Sequence, residues 1–207
     1  MNAAPDQDEG SIKYTSVRRD GEAPRSARLE ALNRARTVLH DLGLIGVYPN
    51  GVGYGNLSIR ESGDQFTITA SATGADRCLR HDQYSLVESF SVEDNRVASR
   101  GPQDASSESM THGAIYRANP SVTCVMHVHN RAMFERLLWS GGLHTAADIA
   151  YGTPAMARAV ASLVRAHGQL PVLFVMAGHD EGIVAYGSDV ESVLAHLIQT
   201  YHHLQAS

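Results

Sequence analysis

Val122-Thr123-Cys124-Val125-Met126-His127-Val128-His129 is an apolar run that closes on two histidines. It reads as a buried strand, and strand side chains alternate between faces. His127 and His129 therefore point the same way, with ring nitrogens close enough to share one metal ion. A second apolar run, Pro171-Val172-Leu173-Phe174-Val175-Met176, leads to His179. A carboxylate, Glu108, sits in the serine-rich stretch Ala105-Ser106-Ser107-Glu108-Ser109. Imidazole suits zinc and its transition-metal neighbours. A lone histidine at a strand end is more often a hydrogen-bonded structural residue. The His-x-His pair, with a third histidine following another strand, turns the reading toward a catalytic metal site.

On either side of that strand the chain alternates helices and strands. Leu29, Leu32, Ala35, Val38, Leu39 and Leu42 recur at helical spacing, and Gly43 is a natural stop. After the turn-rich passage Tyr48 to Gly55 come two strand-like runs, Asn56–Arg60 and Gln65–Thr69, with a hairpin turn between them. Tyr84–Phe90 and the return from Val92 to Arg100 form a second hairpin. A helix follows Ser107 and ends at Asn119-Pro120, just before the histidine strand. Beyond it, Asn130 can cap one helix and Pro154 opens another that ends before Gly168. Gly182–Gly187 is a return strand, and Ser188-Asp189 can cap a last helix. This order predicts helices flanking a largely antiparallel sheet, an α/β domain in the broad sense. Residues 1–24 show little apolar periodicity and are expected to form a flexible arm, with one domain over residues 25–207.

Composition narrows the function classes. A chain of 207 residues with 43% hydrophobic and 19% charged residues is an ordinary globular protein with a proper core. The net charge of −5 and the lack of a basic stripe argue against a nucleic-acid partner. No stretch approaches the roughly 20 apolar residues needed to span a membrane. The polar, acidic start is no secretory signal, and Cys78 and Cys124 suggest no disulfide framework, so a cytoplasmic location is expected.

Several segments need weighing. Gly51-Val52-Gly53-Tyr54-Gly55 precedes a strand instead of a helix and has the wrong spacing for a dinucleotide loop, so that reading is rejected. Ala72-Thr73-Gly74 and Ser106-Ser107 can bind an anion through hydroxyls and N–H groups, although capping explains the serines equally well. Glu108 is either a first-turn carboxylate favoured by the helix dipole or a general acid/base beside a cation. His112, four residues on, shares its helix face as a supporting or packing residue.

Together these motifs resemble the class II aldolase/adducin family, which includes zinc-dependent sugar-phosphate aldolases, epimerases, dehydratases, decarboxylases and the non-catalytic head of adducin. The resemblance rests on Gly55-Asn56-Leu57-Ser58-Ile59-Arg60, Thr67-Ile68-Thr69 leading to Thr73-Gly74, Ser106-Ser107-Glu108, His127-Val128-His129-Asn130 and Gly182–Gly187, in that order. It implies a three-layer α-β-α fold with a central mixed sheet, and a homotetramer. It implies His127 and His129 as zinc ligands, Glu108 as the proton-transferring group, and Asn56, Thr73, Gly74, Ser106 and Ser107 as the substrate pocket. The family's third histidine stands immediately before the glycine that opens the return strand; here Glu181 holds that place and the histidine is His179. If residues 179–181 are extended, both side chains face the same way. His179 is the favoured third ligand and Glu181 the alternative, and iron or manganese remain open beside zinc. The expected activity is that of a metal-dependent, aldolase-type lyase acting on a small polyhydroxy carbonyl or sugar-phosphate-like substrate through a metal-stabilised enediolate. Epimerase, dehydratase or decarboxylase chemistry on the same site, or an adducin-like binding module, are the alternatives.

Overall fold

The run carrying the two histidines becomes a strand, Cys124–His129, in which all six residues are buried. Burial without alternation marks a strand covered on both faces. The computed structural model describes residues 10–206 and shows both covers. In chain order the elements are β1 (Thr15–Arg19), α1 (Leu29–Asp41), β2 (Gly46–Val47), β3 (Gly53–Tyr54), β4 (Asn56–Ser62), β5 (Gln65–Thr69), β6 (Tyr84–Ser91) and β7 (Arg96–Arg100). They continue with α2 (Ser109–Ala118), β8 (Cys124–His129), α3 (Arg131–Trp139), α4 (Pro154–Ala166), β9 (Val172–Val175), β10 (Gly182–Gly187) and α5 (Val190–Ala206).

Eight strands form one sheet in the order β1-β7-β6-β5-β4-β8-β10-β9, and β2 pairs with β3 as a short separate ribbon. Every pairing in the large sheet is antiparallel except β1 with β7, which makes the sheet mixed. Side-chain alternation then divides the core in two. Cys124, Met126 and Val128 of β8 pack with Leu32 and Leu39 of α1, Phe134 of α3 and Val193 and Leu197 of α5. Val125 faces the other way, with Ile115 of α2 and Val160 of α4. Each fully buried aliphatic or aromatic side chain contributes ~1.5–3 kcal/mol relative to exposure. The result is three layers: α1, α3 and α5, then the sheet, then α2 and α4.

Local signals set the ends of these elements. Asn130 caps α3 by accepting from Met133 N at 2.9 Å, and Thr153 caps α4 with Pro154 as its first residue. Asp189 accepts from Ser192 N at 2.7 Å at the start of α5. Past the end of α1, Gly43 takes a φ of +68°, which lets Leu44 N bond back to Leu39 O at 2.9 Å.

The expected N-terminal arm needs correction. Residues 1–9 lie outside the described residues, but Thr15–Arg19 form the edge strand β1. Four of its five side chains are exposed, so the segment has no apolar alternation to read; its order comes from backbone pairing with Arg96–Arg100. Among the described residues, no helix is long and apolar enough to cross a membrane.

Candidate metal centre

His127 and His129 end β8 on the α2 side of the sheet, and their Nε2 atoms lie 3.0 Å apart. His179 arrives from the turn after β9. Its ring centroid is 5.0 Å from that of His127 and 4.7 Å from that of His129. One nitrogen from each of the three rings lies within 4.8 Å of the other two, and all three residues are buried. Nitrogens bound to one tetrahedral zinc stand roughly 3.3 Å apart, given Zn–N bonds of about 2.0–2.1 Å. The His127–His129 pair stands close to that spacing, and the third nitrogen lies within 4.8 Å of both.

Hydrogen bonds fix which nitrogens are available. His127 Nδ1 donates to Ile183 O at 3.1 Å. The Tyr48 hydroxyl lies 2.8 Å from His129 Nδ1 and donates its proton to Glu181 Oε2 at 3.0 Å. The phenol has one proton, so toward His129 it acts as acceptor and Nδ1 carries the hydrogen. Both rings therefore turn a lone pair toward the other through Nε2. Two facing lone pairs at 3.0 Å repel unless a cation lies beside them. Burial pushes both imidazoles well below their ordinary pKa, with the neighbouring His179 adding to the effect, so both are neutral as metal ligands must be. The donor set and its tautomers fit a divalent transition metal.

Glu181 does not follow the geometry expected of it. Residues 179–181 are a turn and not an extended segment: His179 N bonds Met176 O at 2.8 Å, Gly182 N bonds His179 O at 2.9 Å, and Glu181 has a φ of +64°. The turn separates the two side chains. His179 joins the histidine cluster, while Glu181 reaches the Tyr48 hydroxyl and accepts from Arg131 Nε at 3.0 Å. Glu181 thus stands behind His129, oriented by Arg131, which also pairs with Asp180. Outer partners of this kind orient a ligating histidine.

The remaining expected residues meet at one cleft. Asn56, Thr73, Gly74, Ser106, Ser107, Glu108 and His127 all line it. Asn56 is brought there because β4 pairs with β8 in the register that sets Asn56 opposite His127. Among the described residues its buried Oδ1 has no hydrogen-bond partner, so the cleft holds an unused acceptor. Gly74 is required by space: a Cβ there would come within 2.8 Å of Gly53 Cα and closer still to Gly46 O. The loop from Ala70 to Arg77 is held from behind by Arg36, whose buried guanidinium donates to the carbonyls of Thr73 (2.6 Å), Asp76 and Arg77. Glu108 is 2% exposed at the start of α2, with its carboxylate shielded from solvent. No lysine or arginine among the described residues lines the cleft.

His112 lies one helical turn from Glu108, and its Nδ1 is 2.7 Å from Ser58 Oγ, which is in turn 2.7 Å from the Tyr116 hydroxyl. It supports the floor of the site and is not part of the histidine cluster. Burial pushes its pKa down to about 3. Sequence reasoning missed Tyr48, Arg36, Tyr14 and Tyr151. Tyr14 donates to the carbonyls of Ala105 (3.0 Å) and Ser106 (2.9 Å), and Tyr151 stacks on His179. All but Arg36 lie on loops, where no periodicity marks a buried side chain. Arg36 occupies an inward position of α1, where a charged residue among apolar ones was the available signal.

The sequence profile of the class II aldolase and adducin N-terminal domain matches residues 49–206. No curated protein matches the chain. Among solved structures, YgbL from Klebsiella pneumoniae, a candidate aldolase/epimerase/decarboxylase, superposes with a TM-score of 0.65 at 18% identity, covering 86% of this chain and 87% of the other. L-fuculose-1-phosphate aldolase from Thermus thermophilus gives 0.60 at 20% identity, over 86% and 91%. A sugar-phosphate aldolase from Thermotoga maritima gives 0.61 at 16% identity, over 87% and 96%. At such identities the likeness is one of fold.

Proposed function

The chain belongs to the class II aldolase and adducin family, and from that premise we propose that it is a metal-dependent lyase of the aldolase type acting on a small polyhydroxy carbonyl compound. The observation that carries the reading is the cluster of His127, His129 and His179, with the first two Nε2 atoms 3.0 Å apart and buried Glu108 in the adjoining cleft. His127, His129 and His179 would hold the metal, zinc first among the transition metals that suit three imidazoles. Such a cation supplies Lewis-acid stabilisation of the negative charge that builds on substrate oxygen as a C–C bond breaks or carbon loses a proton.

The chain's own residues do the rest. Glu108 takes and returns the proton, a role worth roughly 10²–10⁴-fold in rate. Asn56 Oδ1 accepts from a substrate hydroxyl, and Ser106 and Ser107 supply hydroxyl groups at the start of α2. Thr73 already donates its hydroxyl proton to Ala70 O at 2.9 Å, so it offers the substrate an acceptor. Gly74 lets the loop backbone approach. A cleft of hydroxyls, an amide, a carboxylate and backbone, with no lysine or arginine among the described residues lining it, supports recognition of a polyol. Epimerisation, dehydration and decarboxylation use the same groups and differ in the bond that breaks. The reading includes a cytoplasmic homotetramer, which light scattering tests.

A screen of sugar phosphates and sugar acids against metal-loaded protein tests the proposal, with Glu108→Gln as its control. The expected result is turnover that Glu108→Gln abolishes while metal content is kept. A fully active Glu108→Gln variant would remove Glu108 from the mechanism.

A further inference from the structure

His127 and His129 are held by a strand paired on both sides, with β4 and β10. His179 has no such support. It sits on a turn beyond the end of β9, and packing bears directly on its ring plane. The Tyr151 ring lies on it at 4.1 Å between centroids and 17° between planes, and Tyr151 is only 3% exposed. Lys13 Nζ lies 3.6 Å from the centroid of the same Tyr151 ring. Two groups that close to one ring centre cannot share a face, so Lys13 and His179 lie on opposite sides of Tyr151.

Three glycines show that this sandwich is built. A Cβ on Gly178 would overlap the Ile149 carbonyl oxygen, so the turn bearing His179 is docked against the loop bearing Tyr151. A Cβ on Gly182 would come within 3.0 Å of His179 Cγ and Nδ1, so glycine there leaves room for the imidazole. Gly152, with a φ of +68°, would place a Cβ 3.3 Å from Lys13 Cδ. Lys13 is itself anchored: Asn95 Nδ2 donates to its carbonyl at 2.9 Å, and the next residue, Tyr14, is tied to Ala105 and Ser106.

We infer that Tyr151 and Lys13 are positioning residues for His179, so that the chain upstream of the family-matched segment forms part of the metal centre. The inference rests on the metal-binding reading of the three histidines. A stacked ring resists rotation about the side-chain torsions of His179, because rotation would break the face contact with Tyr151. That restraint keeps the ligating nitrogen aimed at the ion. The Lys13 ammonium, attracted to the far face of Tyr151, holds the tyrosine in place.

The test is Co²⁺ binding to metal-stripped full-length protein, read as a dissociation constant by chelator competition and as the visible ligand-field absorption. Tyr151→Ala is expected to weaken Co²⁺ by roughly 10–100-fold, the usual range for loss of an outer partner, and to change the absorption. Tyr151→Phe, which keeps the stack, should bind within about two-fold of wild type. Lys13→Met should weaken binding by roughly 3–10-fold, as loss of a cation–π contact predicts, and Lys13→Arg should restore it. Thermal unfolding of each metal-free variant separates these effects from general destabilisation. If Tyr151→Ala does not fold, Tyr151→Leu keeps the bulk and makes the same comparison. Wild-type affinity and spectrum in Tyr151→Ala or Tyr151→Leu would overturn the inference while leaving the metal reading intact. A wild-type Lys13→Met would overturn the part assigned to the N-terminal segment. If the wild-type protein bound no Co²⁺, the metal reading itself would fall and this inference with it.

Discussion

Tyr48→Phe removes one oxygen atom and with it two hydrogen bonds in series, from His129 Nδ1 and to Glu181 Oε2. The substitution keeps the ring, and with it the packing of Tyr48 on Tyr54 at 4.5 Å. His129 then loses the acceptor that fixes its tautomer, and the Nε2 lone pair is no longer enforced. Net hydrogen-bond contributions are ~0.5–1.5 kcal/mol, and more toward a charged group. Loss of an outer partner of a metal-bound histidine typically weakens affinity by ~10–100-fold. Tyr48 is half-buried and the Glu181 side chain is 21% exposed, so water can replace part of what is lost. The expectation is therefore the lower end, about ten-fold or ~1.4 kcal/mol. Glu181→Gln keeps an acceptor for the Tyr48 hydroxyl and loses only the charge, so a loss of about three-fold is expected. Because the bonds act in series, the double variant should match Tyr48→Phe alone, a non-additivity that a double-mutant cycle detects. The assay is Zn²⁺ affinity by chelator competition on metal-stripped protein. A Tyr48→Phe variant within two-fold of wild type, or strict additivity with Glu181→Gln, would refute the assigned tautomer and the relay.

Other consequences are open to direct measurement. Gly74→Ala drives a Cβ against the Gly46 carbonyl and Gly53 Cα, so a destabilisation of ~1–3 kcal/mol is expected, a fall in Tm of roughly 2–12 °C; an unchanged Tm would mean the loop is free to move aside. Acid should destabilise the metal-free protein. The buried His112 has a folded pKa near 3, against 6.5 when unfolded, so below 6.5 the unfolded chain takes up protons that the folded state does not. Stability is then fully present above pH 6.5 and lost progressively as pH falls toward 3, with His127 and His129 shifted in the same direction. Melting curves from pH 7.5 to 5 should show a falling Tm, and a flat or rising one would contradict this. On a confirmed substrate, Glu108→Gln should lose roughly 10²–10⁴-fold in kcat while retaining its metal.

Much of the fold was readable because burial leaves a pattern. β8 is buried throughout because both faces are covered, and its alternation alone puts His127 and His129 side by side. Asn130, Pro154 and Asp189 act at helix ends by local chemistry that needs no tertiary context. β1 was missed because an edge strand with exposed side chains is specified by backbone pairing. In the site, Asn56 meets His127 because strand register sets them opposite one another, whereas Thr73 and Gly74 are placed by a loop that Arg36 holds. The roles of His179 and Glu181 depend on a single left-handed residue, Glu181 itself, which converts an apparent extension into a turn. Tyr48 and Tyr151 act through loop geometry that only the folded chain supplies.

The central claim is that one cation sits among His127, His129 and His179. Elemental analysis of untagged protein purified without added metal tests it most directly, alongside His127→Ala and His129→Ala. The account predicts about one transition-metal equivalent per wild-type chain and its loss in each variant. Full metal content in both variants would contradict it.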